Sequence, residues 1–450
     1  MLCGILAWTT FAFGGVYPAT LLLPGAACLI LAAVWRPAFL RYGPAPQLDW
    51  LLLSVLAATF AQIVPVPRSM LALVAPAAEP VFRTLALVDP GGPLPMSINV
   101  RETAWAMGLV TALVLLFLTA RAIFERGGVR TAVRVVAVMG LVLSAVALAQ
   151  DATAHGLMYW RWRSIDEGPA PFGPYVNRNH FATWALMAAP LIVGYLTAHA
   201  AAHHGPDTRA SWQRRIVASL DARAILLLAT AVLLIVAIAA SLSRSGLIGL
   251  AASFLCGALL TRASGRTRLR HSARPVILIV ALGGLAMILV LVQVGAGTLA
   301  NRFATSGVAV VDRLAIWRDT LLVLRDFWLT GTGAGTYQTA MTIYQRSSPG
   351  VLFNQAHNHY MQVAAEGGLL VSVPVVLALY AFTRGAWRSL AGDRSGMYWV
   401  RLGAVCGLFG AAVQSLLETG LTTPANAVLA VILAAIATHV TAGSSHVRTD

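Results

Sequence analysis

Long uninterrupted apolar stretches, separated by short arginine-bearing connections, recur along the whole chain. Each is close to the roughly 20 residues a helix needs to cross a hydrocarbon core at about 1.5 Å per residue. Continuous runs, as opposed to alternating ones, speak against a membrane barrel, whose strands read with a period of two. Spans are expected at 1–16, 18–35, 49–64, 102–121, 135–150, 180–200, 224–240, 246–261, 275–295, 359–383, 402–417 and 424–440. The first two could instead form one re-entrant pair. The expected fold is therefore an all-α integral membrane protein of about twelve transmembrane helices. Composition agrees: 58% of the 450 residues are hydrophobic and 11% charged, against roughly 25% charged in an ordinary soluble domain. The opening segment MLCGILAWTTFAFGG has no basic flank and reads as a first span, not a cleaved signal.

Net charge is +15, and every one of the 32 basic residues is arginine. In a soluble protein that balance would suggest nucleic acid; here placement matters more, and no nucleic-acid partner is expected. One set of connections (36–48, 121–134, 201–223, 262–274, 384–401 and the tail) holds 20 arginines; the opposite set, longer in total, holds 12. The positive-inside rule puts the first set in the cytoplasm and the two longest polar loops outside. The chain thus reads as a single polytopic domain, 1–450, with an irregular outer cap at 65–101, an outer loop at 151–178 and a large external loop at 296–357. Cys3, Cys28, Cys256 and Cys406 all lie in apolar segments, and no pair has the spacing of a metal or redox motif.

Within the large loop, VDRLAIWRDTLLVLRDFW (311–328) has helical periodicity. Leu314, Trp317, Leu321, Leu324 and Trp328 form one narrow stripe, with Asp312, Asp319 and Asp326 on the far face. This predicts an amphipathic helix lying on the membrane or over the bundle. Arg313 falls about 60° from the stripe's centre at 100° per residue, and would need an anionic partner if it pointed inward. Arg318 and Arg325 flank the other side as solvated decoration.

Four further features could carry chemistry. Arg244, in SLSRSG between two spans, is either a snorkelling side chain in an interfacial loop or a fixed cation at the edge of a membrane cavity. In AHNHY (356–360), His357 stands where a loop meets a spanning helix, with Asn358 as its expected N-cap. A structural histidine is the plainer alternative. No third ligand lies near His357 and His359, so a metal is not expected, and Glu366 falls on the opposite helix face from His357. In GPYVNRNHFATW (173–184), Asn177, Asn179 and His180 offer donors and acceptors for sugar hydroxyls, or else a helix cap and an aromatic belt. The string GTGAGTY (331–337) lacks the preceding strand and the lysine of a phosphate loop.

Over roughly residues 170–420 the order and spacing of these pieces resemble the O-antigen ligase and O-antigen polymerase superfamily of bacterial membrane glycosyltransferases. The resemblance rests on GPYVNRNHFA, the SLSRSG break, DRLAIW opening a large outer loop, the GTGAGTY turn and AHNHYMQVAAEGGL. It implies an enzyme of the bacterial cytoplasmic (inner) membrane with its site on the periplasmic face. Such enzymes move a glycan from undecaprenyl diphosphate to an acceptor hydroxyl, without metal, nucleotide or other cofactor, and with inversion. Ligases use the lipid A core as acceptor; polymerases, of O-antigen or exopolysaccharide, use another lipid-linked glycan. Carried over, His357 is the general base and Arg244 and Arg313 bind the diphosphate, with Arg318 as the alternative to Arg313. Asn177, Asn179, His180 and Asn358 would be glycan or acceptor contacts. A flippase or transporter of lipid-linked sugars is the rival class, but it would more typically carry inverted repeats with charges at the midplane, and here the spans hold almost no carboxylates.

Overall fold

The computed structural model describes residues 1–38, 45–85, 91–163, 170–202, 221–263, 306–347 and 351–439. These residues form helices α1 (Leu2–Phe11), α2 (Pro18–Trp35), α3 (Leu48–Ile63), α4 (Arg68–Val74), α5 (Ala78–Leu85), α6 (Val100–Glu125), α7 (Val129–Thr153) and α8 (Arg178–Ala202). Then follow α9 (Ala222–Ala240), α10 (Arg244–Ala263), α11 (Ser306–Asp326), α12 (Tyr337–Tyr344), α13 (His359–Gly392), α14 (Met397–Gln414) and α15 (Pro424–Thr438). Among the described residues there are isolated bridges but no strand. Seven helices (α2, α6, α7, α8, α9, α10 and α13) are long and apolar enough to cross a membrane, and α1, α3 and α15 are shorter apolar helices beside them. The chain is an all-α, multi-pass membrane protein. The expected span at 275–295 lies outside the described residues, so the structure does not count twelve.

The bundle is organised around α8, which is apolar on every side and buried along nearly its whole length, as a helix without a solvated face must be. It packs on α14, α9, α10 and α7. Small residues allow the closest of these contacts. A Cβ on Gly194 would lie 2.2 Å from the Trp399 carbonyl oxygen, and one on Gly403 2.3 Å from that of Pro190, so the α8 and α14 backbones touch directly, as small-residue interfaces in membranes do. The α10–α14 interface brings the Cys256 and Cys406 thiols into hydrogen-bond contact, both free. Their wide separation in sequence hid that pair. At the arginine-rich end, Arg121 donates to both carboxylate oxygens of Asp49, at 2.8 and 2.6 Å, with both side chains buried. A bidentate fork is what makes two desolvated charges tolerable.

At the opposite end the cap has a core of its own. Val66, Leu71, Ala78, Val81, Leu94 and Ile98 pack against Val323, Phe327, Tyr337 and Met341. The 65–101 stretch is therefore less irregular than its proline and glycine content suggests, since it carries α4 and α5.

The helix expected in the large loop is present as α11, and one member of its expected far face, Asp319, is turned inward. Leu314, Leu321 and Trp328 face outward, at 46%, 55% and 58% exposure, while Ile316, Asp319, Thr320, Val323 and Phe327 are buried. The side chain of Asp312 lies outside the described residues. Asp319, expected on the solvated face, is turned inward because the chain folds back on it. Its Oδ2 accepts from the Arg346 and Ser347 N–H groups, both at 3.0 Å, and from the Ser347 hydroxyl at 2.6 Å. Burial pushes its carboxyl up, and these bonds more than reverse the shift. Counting apolar residues cannot register a carboxylate that is saturated by a loop.

Candidate active site

The GTGAGTY turn and α13 are locked together through backbone. Inside α13, Gly368 has φ +54 and ψ −161, which splits off a short outer segment from the long spanning one. Leu369 and Leu370 N–H groups donate to the Trp328 and Leu329 carbonyls, both at 2.9 Å, and Thr332 and Gly333 N–H groups donate to Ala365 and Glu366 carbonyls at 3.0 and 2.9 Å. The Glu366 carboxylate accepts from the Gly335 and Tyr337 N–H groups at 2.9 and 3.2 Å. Glu366 therefore shapes the turn and makes no contact with His357. Buried Gln62, at the end of α3, closes the joint by donating to the Thr330 carbonyl (2.8 Å) and accepting from the Ala334 N–H (3.1 Å). The position of α11 relative to the start of α13 follows from these bonds.

His357 stands just before that start, with a positive φ of 49°, a sparsely populated conformation for a residue with a Cβ. Neighbours hold it there. The Trp317 indole of α11 donates to the Ala356 carbonyl (3.0 Å), and the Ala356 N–H donates to Gln362 Oε1 (3.2 Å). The Asn358 side chain accepts from the Met361 N–H (3.1 Å), so Asn358 is the N-cap of α13. The His357 side chain is 27% exposed, and its Nδ1 lies 3.0 Å from Oε1 of Glu418.

Glu418 follows α14 and is fully buried. Besides His357 it accepts from Asn179 Nδ2 (2.6 Å) and from the Thr419 N–H (3.1 Å), and the Arg313 guanidinium lies 3.9 Å away. Burial alone would raise the carboxyl; the hydrogen bond and charge of His357, joined by the Thr419 N–H, outweigh it and hold the group down to about 2. An ionised carboxylate can only accept, so Nδ1 of His357 carries a proton toward Glu418, and whenever the imidazole is neutral its lone pair is on Nε2.

Arg244 is the exposed first residue of α10. Its neighbour Ser245 accepts from Gln414 Nε2 (3.4 Å), which also reaches the Asn179 carbonyl (3.3 Å). The break between α9 and α10 thus sits at the same end as Glu418, linked to it through Asn179. Residues 229–376 match the family model described as O-antigen ligase. That segment is similar to the O-antigen ligase family, in line with the resemblance read from the sequence over a wider stretch of the chain. No curated protein matches the chain.

The O-antigen ligase segment contains Arg244, Arg313 and His357, while Asn179 and Glu418 lie outside it and are brought in by α8 and the end of α14. Arg313 is 31% exposed on its side chain and turned toward Glu418, whereas Arg318 is exposed on another face of α11. Asn177 Oδ1 accepts from the Asn179 N–H (2.8 Å) and its carbonyl receives the His180 N–H (3.0 Å), which opens α8. His180, expected to meet sugar, is buried, with Nδ1 2.7 Å from the Thr423 hydroxyl. The Asn179 amide and the Asn358 carbonyl oxygen are likewise engaged inside the protein. Among the described residues no three His, Cys, Asp or Glu side chains converge as a metal site would require. Glu418 is the residue that motif reading passed over, although a carboxylate at the very end of an apolar span, in SLLETG, is itself a signal.

Proposed function

We propose that the protein is a ligase-type glycosyltransferase at the outer face of the bacterial inner membrane. It transfers a glycan from undecaprenyl diphosphate to a hydroxyl of the lipid A core. The observation that carries this reading is the His357–Glu418–Arg313 arrangement: an oriented base with a guanidinium on the same carboxylate, at one open end of the bundle. His357 Nε2 takes the proton of the acceptor hydroxyl, and the oxygen forms the new bond to the anomeric carbon. The bond from that carbon to the diphosphate oxygen breaks with its electron pair, and undecaprenyl diphosphate leaves. One base and one leaving group imply displacement with inversion. Arg244 and Arg313 meet the charge that grows on the leaving diphosphate; guanidinium forks suit that task because each binds two phosphate oxygens. Glu418 fixes the tautomer of His357 and stabilises the imidazolium that forms. No step requires a metal or other cofactor.

The test is transfer by purified protein from a lipid-linked donor to lipid A core. His357→Ala should slow transfer by about 10²–10⁴-fold, the range for a positioned base, and donor binding should change little. A strong chelator should leave the wild type active. Near-normal turnover by His357→Ala would remove the base assignment, and chelator sensitivity would overturn the metal-free route. A ladder of products in place of single transfer would identify a polymerase.

A further inference from the structure

A slot of about 240 Å³ opens between α1, α2, α6 and α15, lined by residues that include Gly25, Cys28, Trp105, Gly108, Pro424 and Val428. Its walls are almost entirely apolar, and they come from the ends of α2, α6 and α15 nearest the outer cap. At its rim, on the face of α6 that lines the slot, Arg101 is exposed one turn above Trp105, itself exposed. Apolar below and cationic above, with an indole between, this is the profile of a hydrocarbon chain whose anionic head stays at the interface. The slot connects to the candidate active site through a short stretch of chain. Pro424 lines it, the preceding Thr423 bonds His180, and the turn Gly420–Thr422 leads back to Glu418.

The position of Arg244 decides which chain the slot would take. α10 packs on α14 and α8, whereas α6 packs on α15, α2 and α3, and α15 lies against both α6 and α8. The slot and Arg244 are therefore on different sides of α15. Resting on the transfer reaction proposed above, in which Arg244 and Arg313 hold the donor's diphosphate, we propose that the slot holds one acyl chain of the lipid-anchored acceptor. Two lipid substrates then approach the base from two sides of the bundle, and neither needs to leave before the other binds.

The glycines make the proposal testable without dismantling the fold. A Cβ on Gly25 or Gly108 meets nothing within 4 Å, and leucine is a better helix former than glycine, so Gly108→Leu and Gly25→Leu fill the slot and leave the helices intact. The experiment compares lipid A core, its de-acylated oligosaccharide and the lipid-linked donor with the full-length protein, alongside crosslinking by a lipid A core with a diazirine on an acyl chain. Gly108→Leu should raise KM for the lipid acceptor at least about tenfold, the effect of losing roughly two buried methylenes. KM for the de-acylated acceptor and for the donor should stay at wild-type values. The diazirine probe should label α6 around Trp105 in the wild type and not in Gly108→Leu. An unchanged KM for the lipid acceptor overturns the proposal, and so does a raised KM for the donor, which would give the slot to the prenyl chain. Equal labelling by a diazirine phospholipid would reduce the slot to bulk membrane lipid. If the wild type transfers to no acceptor while labelling remains specific, the transfer reading fails and the slot stands as a lipid site.

Discussion

His357 takes its orientation from Glu418, and the pair makes predictions that a lone histidine would not. Glu418→Gln keeps the size of the side chain but loses the charge, and its amide nitrogen can present a donor to Nδ1, favouring the wrong tautomer. Transfer should fall by about 10²–10⁴-fold, the range spanned by general-base and tautomer effects in other enzymes, with little change in donor affinity. Because Glu418 is held down to about 2, it stays ionised at every pH used for assay and should add no limb to a pH–rate profile. Its folded-state value lies below the ordinary carboxylate range near 4.3, so the stability it contributes is complete above about pH 5 and is lost as pH falls toward 2. The gap in melting temperature between wild type and Glu418→Gln should close as pH falls from about 5 toward 2. A gap that instead widens toward acid would show that the carboxylate is not ionised in the folded protein. The arginines separate in the same way. Arg313→Ala should abolish most transfer and Arg313→Lys recover part of it, because an ammonium keeps charge but not the planar fork, whereas Arg318→Ala should be mild. A dead Arg318→Ala beside a working Arg313→Ala would reassign the cation. In the sequence His357 was visible because a loop-to-helix junction is a local feature. Its partner was not, because pairing Glu418 with His357 requires knowing that the end of α14 comes to rest on the start of α13, as the His359 N–H to Ser415 carbonyl bond (2.9 Å) shows.

At the scale of elements, the turn and the kinked helix act as one part. A Cβ on Gly368 would lie 2.3 Å from the Gly331 nitrogen, at a φ that residues with a Cβ rarely adopt. Gly368→Ala should therefore combine a clash with backbone strain of about 1–3 kcal/mol, lower the melting temperature and reduce transfer by misplacing α11 and Arg313. Gly392→Ala, at an open position at the far end of α13, is the control and should do neither. A Gly368→Ala protein with wild-type activity and stability would mean that the joint does not set the site's geometry. The glycines of GTGAGTY were legible as a turn and as no phosphate loop, but their partner was not, since α13 reads as one continuous apolar run through Gly367 and Gly368. The inward turn of Asp319 on α11 has a similar cause. Periodicity finds the most apolar stripe, yet the face that packs is the one whose polar members, Asp319 and Thr320, can be satisfied locally. Asp319 is saturated by Arg346 and Ser347, and Thr320 shares a 2.7 Å hydrogen bond with the Tyr337 hydroxyl.

At the scale of the molecule, the two sides of the bundle are distinguished by arginine. Helix positions were legible because crossing a membrane imposes a length and excludes polar groups, a constraint that acts on each segment separately. Helix neighbours were not, since small-residue contacts such as Gly194 on Trp399 carry no pattern that a single sequence displays. The bundle has two chemically different ends. One holds the buried pair Arg121–Asp49 and the Arg401–Asp393 contact at 3.1 Å; the other holds His357, Glu418, Arg313 and the cap. If the arginine-rich connections are cytoplasmic, the second end faces outward, where a lipid-linked glycan would meet its acceptor. Single cysteines at Ala263 and Gln345, in a protein whose four native cysteines have been replaced, report the two ends directly. Gln345→Cys should react with an impermeant maleimide on intact cells from which the outer membrane has been stripped. Ala263→Cys, at the far end of α10, should react only after the inner membrane is opened. Labelling in the reverse order would place His357 in the cytoplasm, where the reaction would have to use a donor on the inner leaflet. Labelling of both sites from outside would break the path of α10 across the membrane, and with it the placement of Arg244 beside the Glu418 cluster.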